Sequence, residues 1–147
     1  MQWELKKFDD LTGREVYEIL RLRSEVFVLE QECAYQDVDG KDLVSYHLFA
    51  KDGDEVIANA RLLPKGVSYE EPSIGRVVVK KEYRGTGLAQ EILKRAIEET
   101  GNLFGETEIR ISAQAYLLNY YSSAGFETVS EIYLEDGIEH REMLYKK

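Results

Sequence analysis

Six consecutive residues, Arg84, Gly85, Thr86, Gly87, Leu88 and Ala89, carry the most chemical promise in this chain. Two glycines one residue apart let the backbone bend where a Cβ would clash, and let a ligand approach bare main chain. A β-branched run at residues 74–79 comes before them and a helical pattern comes after. The turn therefore sits where a strand hands over to a helix. Free amides and the positive dipole end of that helix favour an anion there, most often a phosphate. The plainer alternative is a connection that simply needed glycines. Two other phosphate loops are excluded: no G-x-x-x-x-G-K-[ST] string occurs, and the G-x-G-x-x-G/A fingerprint fails at Gln90.

The second concentration of reactive side chains is acidic. Glu30, Glu32, Asp37, Asp39 and Asp42 stand against Lys41 alone in residues 30–42. A calcium loop would place its glycine after a third ligand position, and Gly40 comes after the second acid of Asp37-Val38-Asp39. Two readings stay open, a solvated helix–loop face and the wall of an amine-accepting cleft. His47 opens a strand and reads as a satisfied edge residue.

Composition narrows the classes. With 147 residues, 44 % of them apolar, the chain is expected to form one domain, 1–147, with a sizeable core. A net charge of −9 argues against nucleic acid, which requires a basic face, and suits a cationic small molecule. Cys33 is the single cysteine, so neither an intrachain disulfide nor a cysteine zinc cluster is available, and two distant histidines leave no metal site expected. The opening MQWELKKF has no long apolar run, so neither a leader nor a membrane span is expected, and a cytoplasmic location follows as the expectation.

The elements that would position these groups can be placed in order. Residues 3–8 read as a first strand. Thr12 and Glu15 make a capping box for a helix expected to run to about Glu30. Residues 47–50 and 55–63 form a hairpin, and residues 74–79 the central strand. The helix after the glycine turn presents Leu88, Ile92, Leu93, Ala96 and Ile97 on one face, with Gly101-Asn102 as its stop. A strand at 108–113, a short helix at 115–122, a strand at 126–134 and a last strand at 138–145 follow, the last two joined at Asp136-Gly137. The predicted fold class is α/β: a mixed sheet flanked by helices on both faces.

The combination R-x-x-G-x-A, as Arg84, Gly87 and Ala89, closely resembles the pyrophosphate loop of the GCN5-related N-acetyltransferase (GNAT) superfamily. A second match is Y-x-x-x-G-F, as Tyr121, Gly125 and Phe126. The run 22–31, then Cys33 and residues 35–42, together with Ile74-Gly75-Arg76-Val77, Ala113-Gln114-Ala115, and Glu135-Asp136-Gly137-Ile138 with His140, is similar to the ElaA-like branch. Ala34 and Glu139 depart from it, standing where that branch tends to have proline. The resemblance implies a GNAT-like acyl-CoA N-acyltransferase fold and direct acetyl transfer from acetyl-CoA to an amine acceptor, by a monomer or homodimer without a metal. It implies acyl-CoA contacts from the main chain of Val77, Val78 and Val79, from Arg84 through Ala89, and from Gln114, where the family commonly has asparagine. It implies Tyr121 as the proton donor to the departing thiolate. Glu30 is the first candidate for the base, with Asp39 and Asp42 behind it, and Cys33 is not needed as a nucleophile. The alternative is an acyl-CoA-binding sensor or interaction module without turnover.

Overall fold

The computed structural model describes residues 1–105 and 108–147. Strand β1 (Gln2–Lys7) leads through a 3-10 turn to helix α1 (Gly13–Arg23). The capping box is formed in both directions: the Glu15 amide donates to Thr12 Oγ1 at 3.1 Å and the Thr12 amide to Glu15 Oε1 at 2.9 Å. The helix ends near Glu30 as expected, but Ser24–Glu30 is wound as π-helix. There the Gln31 amide reaches the Val26 carbonyl and the Cys33 amide the Val28 carbonyl, each five residues back.

Strands β2 (Tyr46–Asp52), β3 (Glu55–Leu63) and β4 (Ser73–Val79) extend β1 into an antiparallel sheet in the order β1-β2-β3-β4. Helix α2 (Leu88–Phe104) crosses to β5 (Glu108–Gln114), and helix α3 (Leu118–Ser123) leads to β6 (Phe126–Thr128). A second antiparallel sheet pairs β8 (Ile138–Lys146) with β5 on one edge and with β6 and β7 (Tyr133–Glu135) on the other. The expected mixed α/β architecture is present, with its sheet in two halves that meet at β4 and β5.

Strand alternation sends successive side chains to opposite faces. Phe49, Val56 and Val78 pack under α1 with Ile19, Leu22 and Val26. Leu48, Ala50, Ile57, Ala60 and Leu62 face the other way, onto Leu88, Ile92, Leu93 and Ala96 of α2. Each half of that alternation buries one helix, so both faces are covered.

Two boundaries differ from the sequence expectation for identifiable reasons. Helix α2 passes through Gly101 and closes instead at Gly105, whose φ of +67° makes the left-handed cap. Leu103 and Phe104 pack on the core, and that burial carries the helix past a glycine costing only about 1 kcal/mol. The expected strand at 126–134 is broken: five steps from Thr128 to Tyr133 oppose three from Met143 to His140 on β8, and the extra residues bulge outward. The Asp136-Gly137 turn is as expected, with φ values of +52° and +76°, the two left-handed positions of a type I′ hairpin.

Candidate functional site

At one end the two sheets are joined by the Arg110 amide donating to the Pro72 carbonyl at 3.0 Å, with the Arg110 guanidinium paired to Glu71 beside it at 3.1 Å. Beyond it β4 and β5 part, with no ladder between them among the described residues. The opening forms a cleft of about 880 Å³, lined by Val77, Val78 and Val79 from one strand and by Ser112 and Gln114 from the other.

A local irregularity sets the direction of the β4 main chain. Val78 pairs with Asn59 and Gly75 with Arg61, so two residues of β4, Arg76 and Val77, oppose Ala60 alone. Arg76 sits at φ +49°, and its carbonyl accepts from Asn59 Nδ2 at 3.1 Å. Past this bulge the Lys80 amide donates to the Ile57 carbonyl at 2.8 Å, so by alternation the Val78 amide also turns to β3. Val79 faces the other way, and its carbonyl accepts from Arg84 Nε at 3.1 Å. The amides of Val77 and Val79 therefore point into the opening, while Val78 packs its side chain under α1.

The glycine turn has the shape its sequence implied. Gly85 and Gly87 lie at φ +79° and +89°, and the conformation rather than crowding demands glycine, since a Cβ at either would meet nothing within 4 Å. Helix α2 starts at Leu88, so the amides of Leu88, Ala89 and Gln90 have no intrahelical acceptor. Ala89 and Arg84 line the cleft, whereas the Leu88 side chain is buried in the core, leaving that residue only its amide to offer. Thr86 Oγ1 donates to the Tyr83 carbonyl at 2.6 Å, which braces the turn.

Glu30 and Arg84 come together. Two guanidinium nitrogens donate to the carboxylate at 2.6 and 3.0 Å. That pairing holds the Glu30 carboxyl below its usual range, which makes it a weaker base than an unpaired glutamate. Asp39 and Asp42 are committed as well. Arg23, fully buried, holds Asp37 at 2.8 Å and Asp42 at 2.7 Å; Arg61 holds Asp39 at 2.8 Å; Arg76 pairs with Asp37 at 2.8 Å. Burial pushes Asp39 and Asp42 up, but the arginine hydrogen bonds and charges outweigh it, taking Asp39 down to about 2. Much of the acidic segment is thus an internal counter-charge network, and only Glu30 and Asp39 of its acids face the cleft.

Tyr121 lines the cleft from α3, buried and edge-on to Tyr120 at 4.9 Å and Phe126 at 5.9 Å between ring centres. Burial pushes its phenol well above the ordinary tyrosine range, so it keeps its proton. The glycine of the Tyr121–Phe126 motif is required sterically: Gly125 has φ +108°, and a Cβ there would lie 3.0 Å from the Tyr145 ring. Gln114 is paired with Gln31, whose amide nitrogen donates to Gln114 Oε1 at 3.0 Å and to Tyr116 Oη at 2.9 Å. His47 is an interior residue rather than part of the cleft: its Nε2 lies 2.9 Å from the Asp42 carbonyl, and burial lowers its proton affinity.

Three cleft residues have no role in the sequence reading. Gln31 ties the end of the π-helix to β5, and Tyr120 donates to the Ala89 carbonyl at 2.5 Å. His140 is buried in the cleft wall and was visible only as part of a motif without a function. No periodicity or spacing marks any of the three.

Among the described residues, no helix is long and apolar enough to cross a membrane. A family model described as an acetyltransferase (GNAT) domain matches residues 9–147. UPF0039 protein sll0451 of Synechocystis sp. is 40 % identical over 147 residues, covering 99 % of this chain and 96 % of its own. Protein ElaA of Escherichia coli is 37 % identical, covering 95 % and 93 %; its crystal structure superposes with a TM-score of 0.92 over 99 % of both chains, at 36 % identity. The crystal structure of an acyl-CoA N-acyltransferase from Pseudomonas aeruginosa also gives 0.92, at 42 % identity over 99 % of each chain.

Proposed function

The chain belongs to the GNAT acetyltransferase family, in its ElaA-like branch, and from that premise we propose that it transfers an acetyl group from acetyl-CoA directly to an amine in a ternary complex. The observation that carries the reading is the opening between β4 and β5, with a glycine turn at its mouth and a protonated tyrosine in its wall.

The roles follow from what each group offers. The amides of residues 84–89 and the start of α2 suit the two phosphates of the donor. The outward amides of Val77 and Val79 suit the pantetheine arm and the thioester oxygen, whose developing charge they would stabilise. Tyr121 offers a hydrogen bond to the departing sulfur. The thiolate of a thiol with pKa about 8.5 is a weaker base than a phenolate, so Tyr121 stabilises the thiolate better as a donor than by giving up its proton. Gln114 reaches the same arm once it exchanges its bond to Gln31. Glu30 acts on the donor side, through Arg84. No covalent enzyme intermediate is required, so Cys33 is a bystander; its thiol bonds the Asp136 carbonyl at 3.4 Å.

Calorimetric titration with acetyl-CoA, CoA, ATP and NAD, followed by a thiol-release assay on an amine panel, tests this. Micromolar acetyl-CoA binding with CoA release on at least one amine is expected. Tight binding without release from any amine would favour a sensor, and no binding would refute the proposal.

A further inference from the structure

We propose that His140 is the general base that receives the acceptor amine's proton, at Nε2; this rests on the acyltransferase reading above. Carboxylates were the expected source of a base, and the two that line the cleft in residues 30–42, Glu30 and Asp39, are tied to Arg84 and Arg61. His140 is set up differently. Its Nδ1 lies 2.7 Å from the Ile138 carbonyl, which can only accept, so Nδ1 carries the hydrogen in the neutral ring and the lone pair is on Nε2. Nε2 lies 3.5 Å from Glu135 Oε2, so a proton arriving there meets a carboxylate. The ring is stacked on Tyr133, 6.1 Å between centres at 23°, which fixes its plane.

The hairpin explains why these groups meet. The Asp136-Gly137 turn pairs Glu135 with Ile138 and Tyr133 with His140, and His140 is in turn the register partner of Gln114. Directly opposed residues share a face, so His140 stands on the face of β5 that carries Gln114. Tyr121 belongs to the core cluster that holds Ile109, Ile111 and Ala113, which project from the other face. The thiolate's donor and the amine's base thus enter the cleft from opposite sides of one strand, so each can serve its own substituent of the tetrahedral adduct that the amine forms on the thioester carbon.

In the step itself the amine nitrogen bonds to the thioester carbon and the carbon–sulfur bond breaks. The amine's proton passes to Nε2, and the sulfur leaves as thiolate hydrogen-bonded by Tyr121. The proton departs through Glu135, whose side chain is half exposed, and the thiolate takes one from solvent, giving amide and free CoA. The titratable groups around the imidazole are Tyr133, Glu135, Asp136, Cys33 through the Asp136 carbonyl, and Tyr69, which bonds Tyr133.

The test uses phenethylamine as acceptor, because Tyr35, Tyr69 and Tyr116 line the cleft. His140→Asn keeps a donor for the Ile138 carbonyl but has no base. It should lower kcat about 10²-fold or more and leave the acetyl-CoA Kd unchanged. Wild-type kcat in His140→Asn, or loss of acetyl-CoA binding with the rate, would overturn the assignment. Nitrogen-15 NMR of the ring decides independently of turnover: an Nδ1–H tautomer with a free Nε2 lone pair is expected, and an Nε2–H tautomer refutes it. Release from no amine of the panel, phenethylamine included, would count against the acetyltransferase reading instead, and the ring spectrum would still judge His140.

Discussion

Replacing Glu30 with glutamine separates two roles for this residue. In the free protein Glu30 occupies two nitrogens of Arg84, the arginine of the turn proposed to receive the pyrophosphate. A donor phosphate arriving there must compete with that carboxylate and is repelled by it. The pair is more than a third exposed on both sides, 39 % for Arg84 and 38 % for Glu30. Its worth is therefore that of a surface ion pair, about 0.2–1 kcal/mol. At 1.36 kcal/mol per decade this means acetyl-CoA binding about 1.4- to 5-fold tighter in Glu30→Gln, with the gain shrinking as salt screens both interactions. Calorimetry at 20 and 200 mM salt measures both. A Kd that is unchanged or weaker refutes the competition. If kcat falls 100-fold at constant Kd, Glu30 is the base after all, and the reading of His140 fails with it.

Five further outcomes are expected. Tyr121→Phe should keep acetyl-CoA affinity within about twofold and lower kcat by about 10²-fold, read from calorimetry and thiol release on the same preparation. Cys33→Ala should retain turnover; an inactive but folded variant would rule out direct transfer. Gly87→Ala places a Cβ at φ +89°, so it should cost about 1–2 kcal/mol in denaturant unfolding and weaken acetyl-CoA binding. Asp42→Ala leaves buried Arg23 short of a partner and should cost about 3–5 kcal/mol. Asp39 and Glu15 are both depressed to about 2, so the stability they contribute is complete above the ordinary carboxylate range and drains away as pH falls from about 4 toward about 2. Acid unfolding followed by circular dichroism checks that window.

Local chemistry was legible in the sequence wherever one residue type was required by one backbone conformation. Thr12 with Glu15, the glycines at 85 and 87, and Asp136-Gly137 each announce their geometry because few alternatives satisfy the same amides or φ angles. The motif of Tyr121, Gly125 and Phe126 belongs with them, since Gly125 sits at φ +108°, where a side chain is strained. What stayed hidden depends on partners far along the chain. The aspartates at 37, 39 and 42 read as a solvated acidic run or a cleft wall because Arg23, Arg61 and Arg76, their counter-charges, come from three other elements. Glu30 gave no sign that Arg84, 54 residues away, would claim it. Helix α2 outran Gly101 because burial of Leu103 and Phe104 is a tertiary effect that propensity does not contain.

The π-helical winding of Ser24–Glu30 fixes an angular phase. A residue advances an α-helix by about 100°, and a five-residue hydrogen-bond step absorbs one residue more than an α-turn does. Val26 stays in the core while Glu30 and Gln31, just beyond, are turned onto Arg84 and Gln114. Deleting one residue from this stretch and letting it rewind as α-helix would swing both side chains by about 100°. The donor-side ion pair and the amide pair at the end of β5 would then be lost together, although neither Arg84 nor Gln114 had moved. Two distant parts of the cleft are timed by one irregular turn, much as two hands of a clock share an arbor.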